Sequence, residues 1–347
     1  MSATALPLPV LGSVRPHGDA IPQPPKAQRE ERAIGYARFS LTRGCSMRCT
    51  YCRPAIDRNP RDETRLTPAE IARVAQRLGE RHGVRKVRLT GGDPTVRPDL
   101  PDIVERLAAL PATDDLAMTT NGLTLARDAA RLASLGLGRV NVSLDTLDPD
   151  RFEQMTGVDG LRRVLKGVDA ALAAGLAPVK LNCVVVRGQN DHDLPALVGF
   201  AADRGLELRF IELMPMGPLA PQWARRYVTG AEMRERLAST VAHWRERPQG
   251  RASAQRFHVT LRDGRRVTLG FITPMSCNFC AACDRIRIGA DGGVYPCLMD
   301  RPRGSILGAL RPSWDPDAFD GILDRAYLDK APEHPEQGFA TMTHIGG

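Results

Sequence analysis

The stretch Thr42-Arg-Gly-Cys-Ser-Met-Arg-Cys-Thr-Tyr-Cys52 decides the fold, and it directly follows a strand-like run from Ile34 to Leu41. Its three cysteines, Cys45, Cys49 and Cys52, have Cys-x3-Cys-x2-Cys spacing. Three thiolates on one short loop can ligate three corners of a cubane iron–sulfur cluster. The fourth iron then has no protein ligand and can chelate a small molecule, so the spacing predicts a reactive site.

Two other roles compete for this loop. A disulfide scaffold is disfavoured because the chain is long and lacks a secretory signal, and cytosolic thiols stay reduced. A zinc site usually has four ligands at repeated Cys-x2-Cys spacing, whereas this loop has three cysteines at unequal spacing. The loop therefore favours an iron–sulfur cluster over zinc.

The bulk composition is that of an ordinary soluble protein. The chain has 347 residues, 42% hydrophobic and 25% charged, which suits one large or two modest domains. No apolar run approaches the length of a membrane span, so we expect a cytoplasmic protein. The net charge of +8 allows an anionic partner, either nucleic acid or a polyphosphate nucleotide. Aromatic residues make up only 5%, which argues against a platform for stacking single strands.

Strand-like and helix-like segments alternate along residues 34–217, after a proline-rich segment at residues 1–33 that we predict to be a flexible tail. Six strand–helix units predict an α/β fold with a parallel sheet and right-handed crossovers, too few to close an eight-stranded barrel. The predicted strands are 34–41, 84–90, 115–119, 138–144, 178–186 and 207–213, and the predicted helices are 67–81, 99–110, 124–135, 158–174 and 191–204.

Residues 218–347 differ in character and are predicted to form a second, smaller module over the open side of the barrel. A helix starts near Thr229, and residues 256–261 and 265–271 form a predicted hairpin that turns at Asp263-Gly264. A second cysteine group follows. By spacing alone, this group is as compatible with a zinc ribbon as with an iron–sulfur site. Its members are Cys277, Cys280, Cys283 and Cys297.

The first cysteine loop, with Tyr51 before its last cysteine, resembles the cluster motif of the radical S-adenosylmethionine (SAM) enzymes. The resemblance implies a partial (β/α)6 TIM-type barrel and a [4Fe–4S] cluster whose open iron binds the amino and carboxylate groups of SAM.

The second cysteine group carries a further resemblance. Phe279-Cys280-x2-Cys283-x-Arg285-x-Arg287, followed by Cys297, resembles the auxiliary-cluster motif of the GTP 3′,8-cyclase family. In that family Cys280, Cys283 and Cys297 would hold a second [4Fe–4S] cluster facing the substrate purine, and Cys277 is extra.

Further motifs match the same family and assign its other site residues. Arg88-Leu-Thr-Gly-Gly-Asp-Pro94 resembles its Arg-x-Thr-Gly-Gly-Glu-Pro, with Asp93 in place of the usual glutamate. The terminal Ile345-Gly346-Gly347 resembles the family's ending, whose two glycines reach into the active site. By this resemblance the SAM contacts are Tyr51, Gly92, Asp93, Ser143 and Met214, the GTP contacts are Arg38, Lys86, Arg88, Thr119, Lys180, Arg285 and Arg287, and the catalytic residues are Arg285, Arg287, Gly346 and Gly347.

The predicted GTP contacts are mostly cations, which we expect beside the motif positions at strand ends. A triphosphate carries roughly four negative charges, and arginine binds phosphate through two parallel hydrogen bonds. A lysine on a buried strand, such as Lys180, is costly unless an anion pairs with it. The cationic set therefore favours a nucleotide over a peptide substrate.

The resemblance implies a radical SAM lyase that converts GTP to (8S)-3′,8-cyclo-7,8-dihydroguanosine 5′-triphosphate in molybdenum cofactor biosynthesis. A 5′-deoxyadenosyl radical would abstract the C3′ hydrogen. The implied partners are a reduced flavodoxin- or ferredoxin-type electron donor and, downstream, molybdenum cofactor biosynthesis protein C. A homodimer is compatible with this reading, and neither nucleic acid nor a membrane is expected as a partner. Two alternatives stay open: a peptide-modifying radical SAM enzyme, and a non-enzymatic zinc- and nucleic-acid-binding protein.

Overall fold

The computed structural model describes residues 34–52, 65–248, 250–335 and 345. The predicted tail at residues 1–33 and the terminal Gly346-Gly347 lie outside these residues. Ile345, which precedes the two glycines, is completely buried. No helix in the described part of the chain is long and apolar enough to cross a membrane.

Within the described residues, eleven strands form one sheet, and the first six run parallel in the order in which they occur in the chain. This confirms the predicted α/β fold with strand–helix repeats. The strands are β1 (Tyr36–Ser40), β2 (Lys86–Thr90), β3 (Asp115–Thr120), β4 (Arg139–Ser143), β5 (Lys180–Val185), β6 (Glu207–Glu212), β7 (Val241–Arg247), β8 (Gln255–Leu261), β9 (Arg266–Ile272), β10 (Arg285–Ile288) and β11 (Val294–Tyr295).

The helices between the strands carry their apolar faces against the sheet. The long helices bury leucine, isoleucine and valine in one continuous core with the strand residues. The helices are α1 (Pro68–His82), α2 (Leu100–Ala108), α3 (Leu125–Ser134), α4 (Pro149–Thr156), α5 (Leu161–Ala173), α6 (Leu194–Asp203), α7 (Trp223–Arg226), α8 (Gly230–Arg236), α9 (Leu307–Leu310) and α10 (Pro316–Leu328), with 3-10 turns at Pro94–Val96, Gly217–Gln222 and Cys280–Ala282.

The signals at the start and end of helix α1 were correctly predicted. Thr67 and Glu70 form a capping box, in which each side chain accepts a hydrogen bond from the other's backbone N–H. Gly83 ends the helix with a φ of 65°, which glycine adopts without steric cost.

Between β4 and β5 the structure contains a helix, α4, that was not predicted. The predicted segment 158–174 corresponds to α5, which begins at Leu161, while α4 precedes it and was not predicted. Gly157 ends α4 with a φ of 70°, and Gly160 is the cap residue before α5. Two glycines so close together interrupt the helical pattern, because glycine is a poor helix former and a common C-terminal cap.

The chain after residue 217 extends both edges of the sheet. Strand β9 pairs parallel to β6, and β10 pairs parallel to β1. The predicted β8–β9 hairpin is present and adds β7 as the last strand. We expected residues 218–347 to pack over the open side of the barrel. In the structure their strands β10 and β9 pair with the backbone groups that β1 and β6 would otherwise leave exposed at the sheet edges. No described pairing joins β11 to β7, so the sheet stays open.

The first cysteine loop is seated on a glycine pair at the end of β2. The N–H of Gly92 donates to the carbonyl of Thr42 at 2.6 Å, and the N–H of Asp93 donates to that of Gly44 at 2.8 Å. A Cβ on Gly92 would lie 2.6 Å from the Arg43 carbonyl oxygen and closer still to that of Gly44. Only glycine lets the two backbones approach this closely.

We predict that Gly92→Ala destabilises the iron-free protein by about 1–3 kcal/mol, because the added methyl group must push the cysteine loop away. Urea unfolding followed by circular dichroism measures the change. Gly321→Ala in helix α10 is the matched control, since its Cβ would meet no atom within 4 Å. The control should be neutral or slightly stabilising, and an equal effect in both variants would contradict the close-contact explanation.

Candidate active site

Both cysteine groups face one cavity inside the open barrel. Its volume is about 630 Å³. Cys277 is exposed and is not among the residues that line the cavity. The structure therefore separates three cysteines of the second group from the extra one. The lining cysteines are Cys45, Cys49 and Cys52 from the first group and Cys280, Cys283 and Cys297 from the second.

The thiols of the first group are shielded from water. Burial, together with Asp93, raises the pKa of Cys45 to about 11, and burial with Cys45 and Asp145 raises that of Cys52 to about 12. The backbone N–H of Met47 and the side-chain amide of Asn121 donate to the Cys45 sulfur. The thiols are therefore protonated at neutral pH, and metal ligation there must release protons.

The cysteine geometry bears on the zinc alternative. Among residues 34–52, 65–248, 250–335 and 345, no three His, Cys, Asp or Glu side chains are arranged to hold a single metal ion. A cubane cluster accepts one thiolate at each corner iron, so its ligands stand apart around the cluster. Three thiols of each group face the same cavity, as ligands to three corner irons of a cluster would.

Tyr51 ties the first cysteine loop to the neighbouring strands. Its hydroxyl donates to Asp145 Oδ2 at 2.7 Å, and the N–H of Val184 donates to Oδ1 at 2.9 Å. Burial raises the pKa of Asp145 to about 6 and that of Tyr51 well above its usual range. The hydroxyl of Tyr51 is thus committed to Asp145, and the ring and backbone remain to contact a ligand.

Asp93 points into the protein instead of the cavity. Its carboxylate accepts hydrogen bonds from Thr95 N at 2.9 Å, Thr120 Oγ1 at 2.9 Å and Asn121 N at 2.6 Å, and it is only 1% exposed. Asn121 in turn donates to Ser46 Oγ at 3.0 Å. In this structure the shorter side chain supports the cysteine loop through Asn121 and does not line the cavity.

Arginines line the cavity in register on three adjacent strands. Arg287, Arg38 and Arg88 are paired positions on β10, β1 and β2. Burial, together with the neighbouring arginines, lowers the pKa of Arg38 and lowers that of Arg287 to about 10. Arg285 and Lys86 also line the cavity, two residues nearer the N-terminal ends of β10 and β2. These cations occupy the starts and middles of the strands, not the strand ends where we expected them.

Tyr36 was not predicted as a site residue. It lies between Arg285 and Lys86 in register, and the Nε–H of Arg88 donates to its hydroxyl. Burial by itself would raise the pKa of Tyr36, but Arg88 and Arg38 outweigh it and lower the pKa to about 8. The available signal was position: Tyr36 precedes Arg38 by two residues, so both side chains lie on the same face of β1.

Lys180 pairs with a carboxylate of its own sheet. Its Nζ lies 2.8 Å from Glu207 Oε2, and Arg209 Nε lies 2.6 Å from Oε1 of the same side chain. Burial, followed by Arg209, lowers the pKa of Lys180 to about 8. Arg209 lines the cavity and Lys180 does not. Of the remaining predicted contacts, those that line the cavity are Gly92, Thr119, Ser143 and Met214.

Two buried charged side chains that the motifs did not single out hold the second cysteine group. Glu212, at the end of β6, accepts from Met275 N at 2.9 Å and Ser276 N at 3.0 Å, just before this group. Lys330 Nζ donates to the Arg285 carbonyl at 2.9 Å and to the Pro296 carbonyl at 2.6 Å. These contacts fix the two segments that carry Cys283 and Cys297.

The fold and the three-cysteine loop define the class of this protein. A profile of the Radical SAM superfamily matches residues 39–201, and one described as Molybdenum Cofactor Synthesis C matches residues 206–336. A crystal structure of Streptococcus suis SuiB bound to S-adenosylmethionine has a TM-score of 0.60 at 16% identity, covering 87% of this chain and 68% of that chain. It supports the fold alone. The class is that of radical SAM proteins, which use SAM and an iron–sulfur cluster.

Similar sequences narrow the class further. GTP 3′,8-cyclase 1 of Pseudomonas aeruginosa is 45% identical over 268 residues, which is 77% of this chain and 80% of that protein. GTP 3′,8-cyclase of Pelotomaculum thermopropionicum is 40% identical over 323 residues, 91% of this chain and 98% of that protein. The chain belongs to the GTP 3′,8-cyclase family, as its cysteine motifs indicated.

We predict that Tyr36 ionises near pH 8 in the folded iron-free protein, because Arg88 and Arg38 stabilise the phenolate. An ordinary tyrosine ionises near pH 10. The lowered pKa of Tyr36 therefore increases the free energy of unfolding above pH 10, and this stabilisation is lost as the pH falls through about 8. Nuclear magnetic resonance of ¹³Cζ-tyrosine should show one such titration. This titration should vanish in Tyr36→Phe. It should persist in Tyr295→Phe, because burial raises the pKa of Tyr295. Absence of a titration below pH 9 in the unmodified protein would contradict this assignment.

Proposed function

We propose that this chain catalyses the cyclisation of GTP to (8S)-3′,8-cyclo-7,8-dihydroguanosine 5′-triphosphate. The observation that carries the proposal is that two groups of three cysteines and a row of arginines face one cavity. Its relatives at 40–45% identity are named GTP 3′,8-cyclases. A cavity that holds a reactive centre at one end and a polyanion site within the barrel suits a nucleoside triphosphate.

The first group would hold a [4Fe–4S] cluster with SAM at its open iron, and the second would hold another [4Fe–4S] cluster. When bound, the first cluster and SAM supply a 5′-deoxyadenosyl radical. Cys45, Cys49 and Cys52 provide three ligands there, and Cys280, Cys283 and Cys297 provide three at the second site. Cys277 is exposed, which supports a second cluster held by the other three cysteines of its group.

The SAM side of the cavity lies at the C-terminal ends of the strands. Gly92, Ser143 and Met214 line the cavity there, next to the cysteine loop. The carboxylate of Asp93 is already saturated with internal donors. In our proposal Asp93 therefore acts on SAM through the position of Asn121, and backbone groups around Gly92 contact the SAM amino acid directly.

The arginine row would bind the triphosphate. Arg38, Arg88 and Arg287 stand side by side, and each charge-assisted hydrogen bond contributes about 1.5–3 kcal/mol. Arg285 lies on the same strand as Arg287, with its guanidinium carbon 4.8 Å from the Phe279 ring centroid. Strand β10 would thus contact the guanine end and the phosphate end of one nucleotide.

The remaining predicted contacts fit this arrangement to different degrees. Thr119 Oγ1 is buried without a hydrogen-bond partner among the described residues, so it is free to bind the substrate. Lys86 faces the cavity from the start of β2. Lys180 would reach GTP only by exchanging Glu207 for a phosphate. Gly346 and Gly347 stay in the proposal as catalytic residues on the family resemblance.

The reaction balance identifies the other participants. One hydrogen atom leaves C3′, a bond forms between C3′ and C8 of guanine, and the resulting radical takes up one electron and one proton. A reduced flavodoxin- or ferredoxin-type protein would supply electrons, and molybdenum cofactor biosynthesis protein C would rearrange the product. We place the protein in the cytoplasm, where such donors remain reduced.

We predict that Arg287→Ala and Arg38→Ala each weaken GTP binding about ten- to a hundredfold while SAM binding changes little, because each removes one charge-assisted contact. Calorimetry on the anaerobically reconstituted enzyme measures both affinities, and mass spectrometry measures the cyclised product. The control is Arg131→Ala on the exposed face of α3. Equal losses for both ligands would indicate damage to the fold, and unchanged GTP affinity would refute the proposed phosphate site.

A further inference from the structure

Strands β7 and β8 place several basic side chains on one face of the sheet. Arg247 lies opposite Arg256, and Arg245 lies opposite His258, in the antiparallel pairing of the two strands. Arg245 and Arg247 are exposed, while Arg256 and His258 are half-buried. We call these four residues the outer cation row. Since directly opposed residues project from the same face, the four side chains form one patch.

The other face of the same strands is apolar and carries their single carboxylate. Trp244 packs edge-on against Phe257, with ring centroids 5.5 Å apart, and also contacts Phe271. Glu246 lies opposite Phe257 and accepts a hydrogen bond from Gln255 Nε2 at 2.6 Å. The apolar face and its carboxylate are therefore separated from the outer cation row by the thickness of the sheet.

The outer cation row is electrostatically unfavourable by itself. Like charges directly opposite each other on paired strands repel. Within the described part of the chain, Arg245, Arg247 and Arg256 form no ion pair with a carboxylate. Burial, followed by Arg247, Arg245 and Arg256, lowers the pKa of His258, so the patch already disfavours a further positive charge. A bound anion would relieve this repulsion.

The outer cation row is continuous with the cavity. Arg256 is paired with Gly270, and Gly270 is paired with Arg209 on β6. A Cβ at Gly270 would lie 3.1 Å from Arg209 Cγ, so the glycine leaves room for the arginine to lie across β9. Both Arg209 and Arg256 line the cavity, and Arg256 Nε is shielded from water without a described partner.

We infer that the outer cation row is a capture surface for the triphosphate of the nucleotide on its way into the cavity. This inference rests on the proposed function. A nucleotide is favoured over an acidic protein or a nucleic acid because the row continues, strand by strand, into the cations of the cavity. Phosphates passing from Arg247 to Arg256 to Arg209 would keep an arginine partner at each step.

The expected effect is on the association rate constant for GTP more than on its dissociation rate constant. Arg245 and Arg247 are exposed, so salt screens them over a Debye length of about 8–10 Å at physiological ionic strength. Charges at the rim of a binding site steer ligands and mainly change the association rate constant. An uncharged nucleoside should not sense the row.

The test uses the double variant Arg245→Glu with Arg247→Glu in the reconstituted enzyme, and stopped-flow fluorescence with a 2′-labelled GTP. We expect the association rate constant to fall at least about fivefold at low salt and the difference to shrink at high salt. The dissociation rate constant should change less than twofold. The control, Arg162→Glu with Arg163→Glu on the exposed face of α5, makes the same change in charge and should have less than half that effect.

Three further measurements distinguish the outcomes. Labelled guanosine should bind every variant at the same rate, and Arg245→Gln with Arg247→Gln should give an intermediate effect on GTP without introducing acidic groups. Wild-type association rates in the double variant, or equal effects in the control, would overturn the capture surface. Slower reduction by a flavodoxin with unchanged GTP association would assign the row to an acidic protein instead. Failure of the unmodified enzyme to bind GTP would refute the proposed function itself.

Discussion

In-register pairing of β10 with β1 and of β1 with β2 is the constraint on which the site depends. It places Arg287, Arg38 and Arg88 side by side in the arginine row, which lines the cavity and in which like charges repel. The arginine row is complete only when the chain has passed from β9 to the other edge of the sheet, where β10 pairs with β1. The second cysteine group flanks β10, so it reaches the cavity in the same step. An enclosed polyanion would offset this repulsion.

Buried hydrogen bonds hold the two cysteine segments around the arginine row. Asp93 and Asp145 organise the first loop, and Glu212 and Lys330 organise the second. Each of these charged groups is satisfied by backbone or side-chain partners, which offsets the cost of burying it. The ligand-facing groups are thus positioned by polar residues that do not themselves need to touch a ligand.

Local patterns in the sequence predicted the strand–helix alternation, the capping box at Thr67 and the cysteine motifs, because each depends on residues close together in the chain. Contacts between distant strands were not predictable in this way. Lys180 pairs with Glu207, and Tyr36 with Arg88, only because their strands are neighbours in a particular register. Similarly, the inward turn of Asp93 depends on Thr120 and Asn121 from the next strand, and the motif match carried no information about it.

The most direct test of the proposed reaction follows the hydrogen atom at C3′ of GTP. The reconstituted enzyme is incubated anaerobically with SAM, a reductant and GTP carrying deuterium at C3′, and the 5′-deoxyadenosine is analysed by mass spectrometry. We predict that it gains one mass unit in proportion to the cyclised product. Cyclised product accompanied by 5′-deoxyadenosine without deuterium would contradict abstraction of the C3′ hydrogen by the 5′-deoxyadenosyl radical.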